Sequence, residues 1–324
     1  MTSLARRLCA WYARARRPMP WRLEPAPYVC WLSEIMMQQT TYGAVLPYYT
    51  RFLARFPTVE ALAAADEADV LKAWEGLGYY ARARNLHAAA RQLCATGRAA
   101  WPTDVAGWAA LPGVGPYTAA ALASVLNGAR APVVDGNVAR VFARVWALED
   151  DFHAQPARTA LAARLQPLIE TRGVKPGDFN QAMMELGALV CTPRNPACAT
   201  CPLADACAAR AAGTQMDYPR RRVRKTLPVR RATAVIVTDD AGRVLLVQNR
   251  EGGLLRGLWE LPTVEEAGAV AQTFSHFHLE LTTLRATSRA AAFVDPRTVP
   301  LSTTTRKALA AASRSGRSAA RAGG

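Results

Sequence analysis

The chain has 324 residues, 51% of them hydrophobic, with 40 Lys and Arg against 25 Asp and Glu for a net charge of +15. That length suggests about two domains. No apolar run reaches the ~18 residues of a membrane span, and the start, MTSLARRLCAWYARARR, lacks the apolar block of a signal peptide, so a soluble, cytoplasmic protein is expected and a membrane or secreted one is not. The surplus of arginine points to a polyanionic partner, most simply nucleic acid, with a GC-rich genome as the alternative source of so much arginine and alanine.

Up to about residue 210 the pattern is helical. Residues 61–74, 81–94, 117–126 and 157–171 carry apolar or alanine-rich positions at helical spacing. Between the second and third lies Leu111-Pro112-Gly113-Val114-Gly115-Pro116-Tyr117. Pro116 suits a first helical position. The two glycines allow close backbone approach and leave N–H groups at a helix start free for phosphate. It is neither a P-loop nor a dinucleotide fingerprint: no Gly-Lys-Ser/Thr follows and no strand precedes it. Asp135 then stands beside Gly136, among valines and ahead of another helix. Capping that helix is its ordinary reading.

Four of the seven cysteines form Cys191-x6-Cys198-x2-Cys201-x5-Cys207. Four thiolates in so short a span suggest a metal centre, zinc or an iron–sulfur cluster. Spacing alone does not choose, although structural zinc sites usually show two close pairs and this motif has one. The intervening loop carries Arg194, a candidate phosphate contact. Residues 220–231 hold seven basic side chains and no acid, which reads as an exposed linker or a strap on DNA phosphates. Residues 232–238 and 243–248 flank Asp239-Asp240-Ala241-Gly242, a hairpin signature. From Arg306 the chain reads as a low-complexity basic tail, disordered at its end.

The hairpin glycines, Asp135 and the four cysteines together resemble the helix-hairpin-helix DNA glycosylases. Pro20-Trp21-Arg22, residues 27–40 (PYVCWLSEIMMQQT), 76–86 (GLGYYARARNL) and 179–187 (FNQAMMELG) narrow the likeness to the MutY-type adenine DNA glycosylases. The resemblance runs from about residue 8 to 235. It implies a multidomain protein. An all-α helix-hairpin-helix glycosylase with a [4Fe–4S] cluster spans 1–210, with a six-helix module over about 20–130 and a cluster module from the N-terminal segment and 131–210. A basic linker (211–231), a smaller α+β Nudix-like domain (232–305) and the tail (306–324) follow.

The resemblance also implies an activity: removal of adenine mispaired with 8-oxoguanine or guanine, by a monomer acting on double-stranded DNA at the bacterial nucleoid. Glu34, in an apolar stretch that raises its pKa, would protonate adenine. Asp135 would face the cationic sugar, supported by Tyr117 and Asn137. Trp21, Met37, Gln181 and Met184 would line the adenine pocket, with Gln181 reading a base edge. Gln38, Gln39, Thr40, Tyr79, Gly113, Gly115 and Arg194 would contact DNA, and Cys191, Cys198, Cys201 and Cys207 would hold the cluster. Relatives that cleave the strand carry a lysine where this chain has Tyr117; the four lysines (72, 175, 225, 307) lie elsewhere in sequence, so strand cleavage through a Schiff base is not expected.

In the Nudix-like part, residues 249–262 and 273–279 carry the likeness, and Ser275 and His276 would read 8-oxoguanine. The metal-binding Nudix helix is absent. Only eleven residues separate Pro262 from Phe274, so a helix usual there is shortened or lost. A glycosylase of this fold acting on thymine or uracil, and a non-catalytic DNA-binding protein, are the alternatives.

Overall fold

The computed structural model describes residues 3–95, 99–220, 233–250, 253, 255–273, 278–286 and 291–322. Residues 221–231 of the basic linker, and Ser275 and His276, lie outside the described residues. In chain order the helices are α1 (Leu4–Ala15), α2 (Pro20–Leu23), α3 (Pro27–Met37), α4 (Tyr42–Arg55), α5 (Val59–Ala64), α6 (Glu67–Ala73), α7 (Ala81–Leu93), α8 (Val105–Ala109), α9 (Pro116–Asn127), α10 (Gly136–Val145), α11 (Gln155–Ile169), α12 (Pro176–Leu189), α13 (Ala208–Ala211) and α14 (Thr303–Ala322). The strands are β1 (Thr233–Ala234), β2 (Val244–Gln248), β3 (Trp259–Glu260), β4 (Thr263–Thr273), β5 (His278–Ala286) and β6 (Ala291–Val294). Among the described residues no helix is long and apolar enough to cross a membrane. Compactness divides the chain in two: residues 1–39 with 92–225, and residues 40–91 with 226–324.

In the first unit, caps and prolines set the helix starts. Ser3 accepts the Arg6 N–H at 3.3 Å and opens α1, whose Ala5, Leu8 and Tyr12 recur on one buried face. Pro27, Pro116 and Pro176 stand at the starts of α3, α9 and α12, where a missing N–H removes no helical bond. Both α1 and α10 pack on α12. Leu8, Phe142, Leu165, Phe179 and Leu186 are fully buried in the shared core. At roughly 1.5–3 kcal/mol for each large apolar side chain, this core holds α10 and α12 side by side.

In the second unit, α4 to α7 bury Val45, Phe52, Leu62 and Trp74, with Phe52 edge-on to Trp74 at 5.8 Å and 87°. Two antiparallel sheets follow, in strand orders β1-β4-β5 and β3-β2-β6. Leu246, Leu261 and Leu301 make a small core beneath the second sheet. Lys72 Nζ donates to the Val299 carbonyl at 2.9 Å and the Tyr80 hydroxyl to the Leu301 carbonyl at 3.0 Å.

Three expectations are corrected. Residues 61–74 are two helices, broken at Ala65-Asp66, where Asp66 opens α6. The 239–242 turn forms and Thr238 bridges to Val244, but β1 pairs with β4 (Thr233 to Val264) instead of β2. The tail is helical through Ala322, in keeping with alanine's helix propensity. One expectation is kept: the helix expected to be shortened or lost after Pro262 is absent from residues 263–273, which form strand β4.

Candidate active site and cysteine centre

Asp135 is oriented by the helix it opens. Its Oδ1 accepts the Val138 N–H at 2.7 Å and its Oδ2 accepts Asn137 Nδ2 at 2.8 Å. The capping role is therefore real, and it also fixes both carboxylate oxygens. Asn137 Oδ1 accepts from Arg140 Nη2 at 2.8 Å, and Arg140 Nε donates to the Cys191 carbonyl at 2.8 Å. One hydrogen-bonded chain thus links Asp135 to the backbone of the first motif cysteine. Helix α12 reaches this point only because residue 187 is glycine. A Cβ there would lie 2.6 Å from Asn137 Cβ and 3.0 Å from its Cα. The loop before Asp135 is held by Asn180, fully buried, which accepts from the Val133 N–H at 3.1 Å and donates to Ser124 Oγ and the Ala131 carbonyl, both at 2.9 Å. Both ends of its amide are used, as burial requires.

Glu34 lies in the last turn of α3. Burial pushes its carboxyl up to about 7, the Arg22 charge pulls it back, and the Asp135 charge adds to the rise. Burial also lifts the Tyr117 phenol well above its usual range, with Glu34 and then Asp135 adding to it. The Tyr117 hydroxyl donates to Met184 Sδ at 2.8 Å. Glu34, Asp135, Tyr117 and Met184 thus come together. Trp21 is buried and Met37 half-buried, and Gln181 Oε1 accepts the Tyr12 hydroxyl at 2.7 Å.

Sequence reasoning missed a second carboxyl. Glu185 is fully buried and takes the Arg17 N–H and Nε at 2.9 and 2.8 Å on Oε1. Its Oε2 takes Arg17 Nη2 at 2.9 Å and both Arg22 Nη groups at 3.1 Å. Burial alone would raise it, but the Arg17 hydrogen bonds and the Arg22 charge win and hold it at about 2. Arg22 therefore faces two carboxyls, Glu185 and Glu34. The only sequence signal was its place beside Trp21 in the Pro-Trp-Arg motif.

The four motif cysteines are free thiols that line one pocket with Arg144 and Gln215. Among the described residues no three His, Cys, Asp or Glu side chains close on a single ion position; the thiols ring a cavity instead. The donor set suits a cluster. Backbone N–H groups of Leu203 and Arg210 point to the Cys201 and Cys207 sulfurs. Arg144, 2% exposed, donates to Cys191 Sγ at 3.3 Å and to the Thr192 carbonyl at 2.8 Å. Gln215 Oε1 is buried and has no hydrogen-bond partner among the described residues.

The residues expected to meet DNA fall in both units. In the first, Gln38 is turned toward the Gly113 carbonyl and Thr118 Oγ1, each at 3.4 Å, and so braces the hairpin. Gly113 has φ +77°, which favours glycine, and Gly115 opens α9 without a side-chain cap. Gln39 is exposed with φ +57°, and Arg194 is exposed on the cysteine loop. In the second unit Thr40 is half-buried, while Tyr79 is 56% exposed with φ +50° under the Arg82 guanidinium. Positive φ at non-glycine residues is uncommon and concentrates at functional positions.

Residues 32–167 match the HhH-GPD superfamily of base excision DNA repair proteins, and residues 191–207 match the iron–sulfur binding domain of endonuclease III. The adenine DNA glycosylase of Homo sapiens is 36% identical over 322 residues, covering 82% of this chain and 58% of that protein. That of Mycobacterium tuberculosis is 44% identical over 218 residues, covering 66% of this chain and 70% of that protein. The structure of a thermostable thymine-DNA glycosylase superposes with a TM-score of 0.57 at 28% identity, over 64% of this chain and 95% of that one. The chain spans less than two thirds of the mammalian relatives it matches, 58% of the human and 61% of the mouse protein. Cys191, Cys198, Cys201 and Cys207 are the cysteines of the matched iron–sulfur domain. An identity of 44% sustained along 70% of a relative reaches beyond the shared helical fold, and the chain belongs to the adenine DNA glycosylase family.

Proposed function

We propose that the protein excises adenine from DNA where it is mispaired with 8-oxoguanine or guanine, as a monofunctional N-glycosylase in base excision repair. The observation that carries this reading is Glu34, whose carboxyl is raised to about 7 beside Asp135. Cleaving an N-glycosidic bond needs a better leaving group and a shelter for the cationic sugar. Glu34 keeps a proton near neutral pH and delivers it to adenine N7. Asp135 faces the oxocarbenium-like sugar, its oxygens pre-aimed by Val138 and Asn137. Tyr117 stays protonated and braces Met184 at the pocket wall.

Flipping the base out of the stack precedes chemistry. The backbone N–H groups at the start of α9 grip phosphate beside Gly113 and Gly115, with Gln38 bracing the turn and Thr40 and Arg194 adding contacts. Gln39 and Tyr79, held at positive φ, occupy the gap in the duplex. Trp21, Met37, Gln181 and Met184 line the adenine pocket. Ser275 and His276 read 8-oxoguanine. Cys191, Cys198, Cys201 and Cys207 would hold a [4Fe–4S] cluster, which would supply a rigid, redox-capable anchor for the surrounding loop.

A single-turnover glycosylase assay on 8-oxoguanine:adenine, guanine:adenine and guanine:thymine duplexes tests the reading. Adenine release from the first two is expected, faster from the first. The likeness to a thymine-DNA glycosylase favours a second reading, and release of thymine alone would replace the first with it. Borohydride treatment during turnover should trap no covalent enzyme–DNA adduct; an adduct would overturn the monofunctional assignment.

A further inference from the structure

Tyr12 is 2% exposed, comes from α1, and directs its hydroxyl at Gln181 Oε1, 2.7 Å away. Its ring carries the Arg22 guanidinium at 5.7 Å, and Arg22 in turn holds Glu185. A helix remote from the hairpin therefore reaches the base-facing side of α12.

We infer that Tyr12 is a positioning residue that sets which end of the Gln181 amide the flipped base meets, and so helps the site distinguish adenine from guanine. The inference rests on the proposed adenine reading. A glutamine amide offers an acceptor at one end and donors at the other. The buried Tyr12 phenol keeps its proton, since burial raises its pKa. That proton needs an acceptor, and among the described residues Gln181 Oε1 is the one it has. With the carbonyl occupied, Nε2 is the free end, and no hydrogen bond from it occurs among the described residues. A fixed donor suits a ring nitrogen that accepts, as adenine N1 does. It opposes the N1–H of guanine. A site with a committed hydrogen-bond polarity rejects the opposite pattern far more strongly than a site free to rotate.

The test is Tyr12→Phe, which removes only the hydroxyl. Single-turnover excision is measured for adenine and for guanine placed opposite 8-oxoguanine, with binding of each base as its 2′-fluoro, uncleavable nucleotide. The variant is expected to slow adenine excision roughly tenfold and to narrow the adenine-to-guanine binding ratio by a similar factor. The fall of its rate with pH near 7 should stay in place, because Glu34 is untouched. Gln181→Glu supplies a second measurement: it still accepts from Tyr12 but has no donor, so it should shift binding toward guanine, with no further loss when combined with Tyr12→Phe. An unchanged base ratio in Tyr12→Phe, or additive losses in the double variant, would overturn the inference. Wild-type protein that releases no adenine would instead overturn the proposed function.

Discussion

Glu34 and Glu185 are both drawn out of water, yet one carboxyl is pushed up to about 7 and the other held at about 2. Burial works in the same direction on each. The difference lies in what the protein places against the oxygens. Glu185 receives N–H donors from Arg17 and Arg22 on both oxygens. Glu34 has the Arg22 charge nearby and the opposing Asp135 charge, and no hydrogen bond contributes to its shift. One arrangement keeps a permanent anion that locks the N-terminal segment to α12. The other keeps a transferable proton.

The largest expected effect follows from that division. Glu34→Gln should lower single-turnover adenine excision by about 10³-fold while leaving duplex binding intact. It should also raise the Tm at pH 8. The sign follows from linkage. The folded pKa of Glu34 lies above that of the unfolded chain, so its contribution is full below about 4.3 and is lost as pH rises through about 7. Gln carries no charge and escapes that loss. Near-normal turnover by Glu34→Gln would break the acid assignment.

Glu185→Ala should do the reverse, costing about 3 kcal/mol in urea unfolding because Arg17 and Arg22 lose their counter-charge. Its folded pKa is depressed, so the stabilisation is full above about 4.3 and fades as pH falls toward about 2. Wild-type stability should therefore drop steeply below pH 4. A flat acid limb would show that the Arg–Glu cluster contributes little.

Gly187→Ala comes next. The added Cβ meets Asn137 at 2.6 Å, so either α12 or the first turn of α10 must move, and Asp135 moves with the latter. Excision should fall on the order of 10²-fold with a smaller loss of stability, as read by comparing rates with urea midpoints.

What was legible in the chain is what depends on neighbours in sequence. The cap at Asp135, Pro116 at the start of α9, the helices near 81–94 and 157–171, and the cysteine motif are all local patterns. Glu185, Arg17 and Arg22 were not legible as a cluster, because the partners lie more than 160 residues apart. Asn180 looked like part of a motif, and only its buried bonds show that it shapes the loop ahead of Asp135. The break inside 61–74 was hidden by alanine, which satisfies helical spacing without marking an apolar face. The strand exchange that pairs β1 with β4 is set by tertiary contact, and no local turn signal encodes it.

The smallest effect separates the two carboxyls most finely, because Arg22 acts on both. Its charge opposes the rise of Glu34 and helps hold Glu185 down. Arg22→Gln should therefore move the two pKa values in the same direction, upward. For Glu34 this predicts that the falling limb of excision against pH shifts to higher pH, by on the order of one unit, whatever happens to the maximal rate. For Glu185 the shift should be smaller, since Arg17 still donates three hydrogen bonds. A pH–rate profile of Arg22→Gln beside wild type checks the first, and its acid unfolding curve the second. A limb that moves to lower pH would mean that Arg22 does not act on Glu34 through its charge.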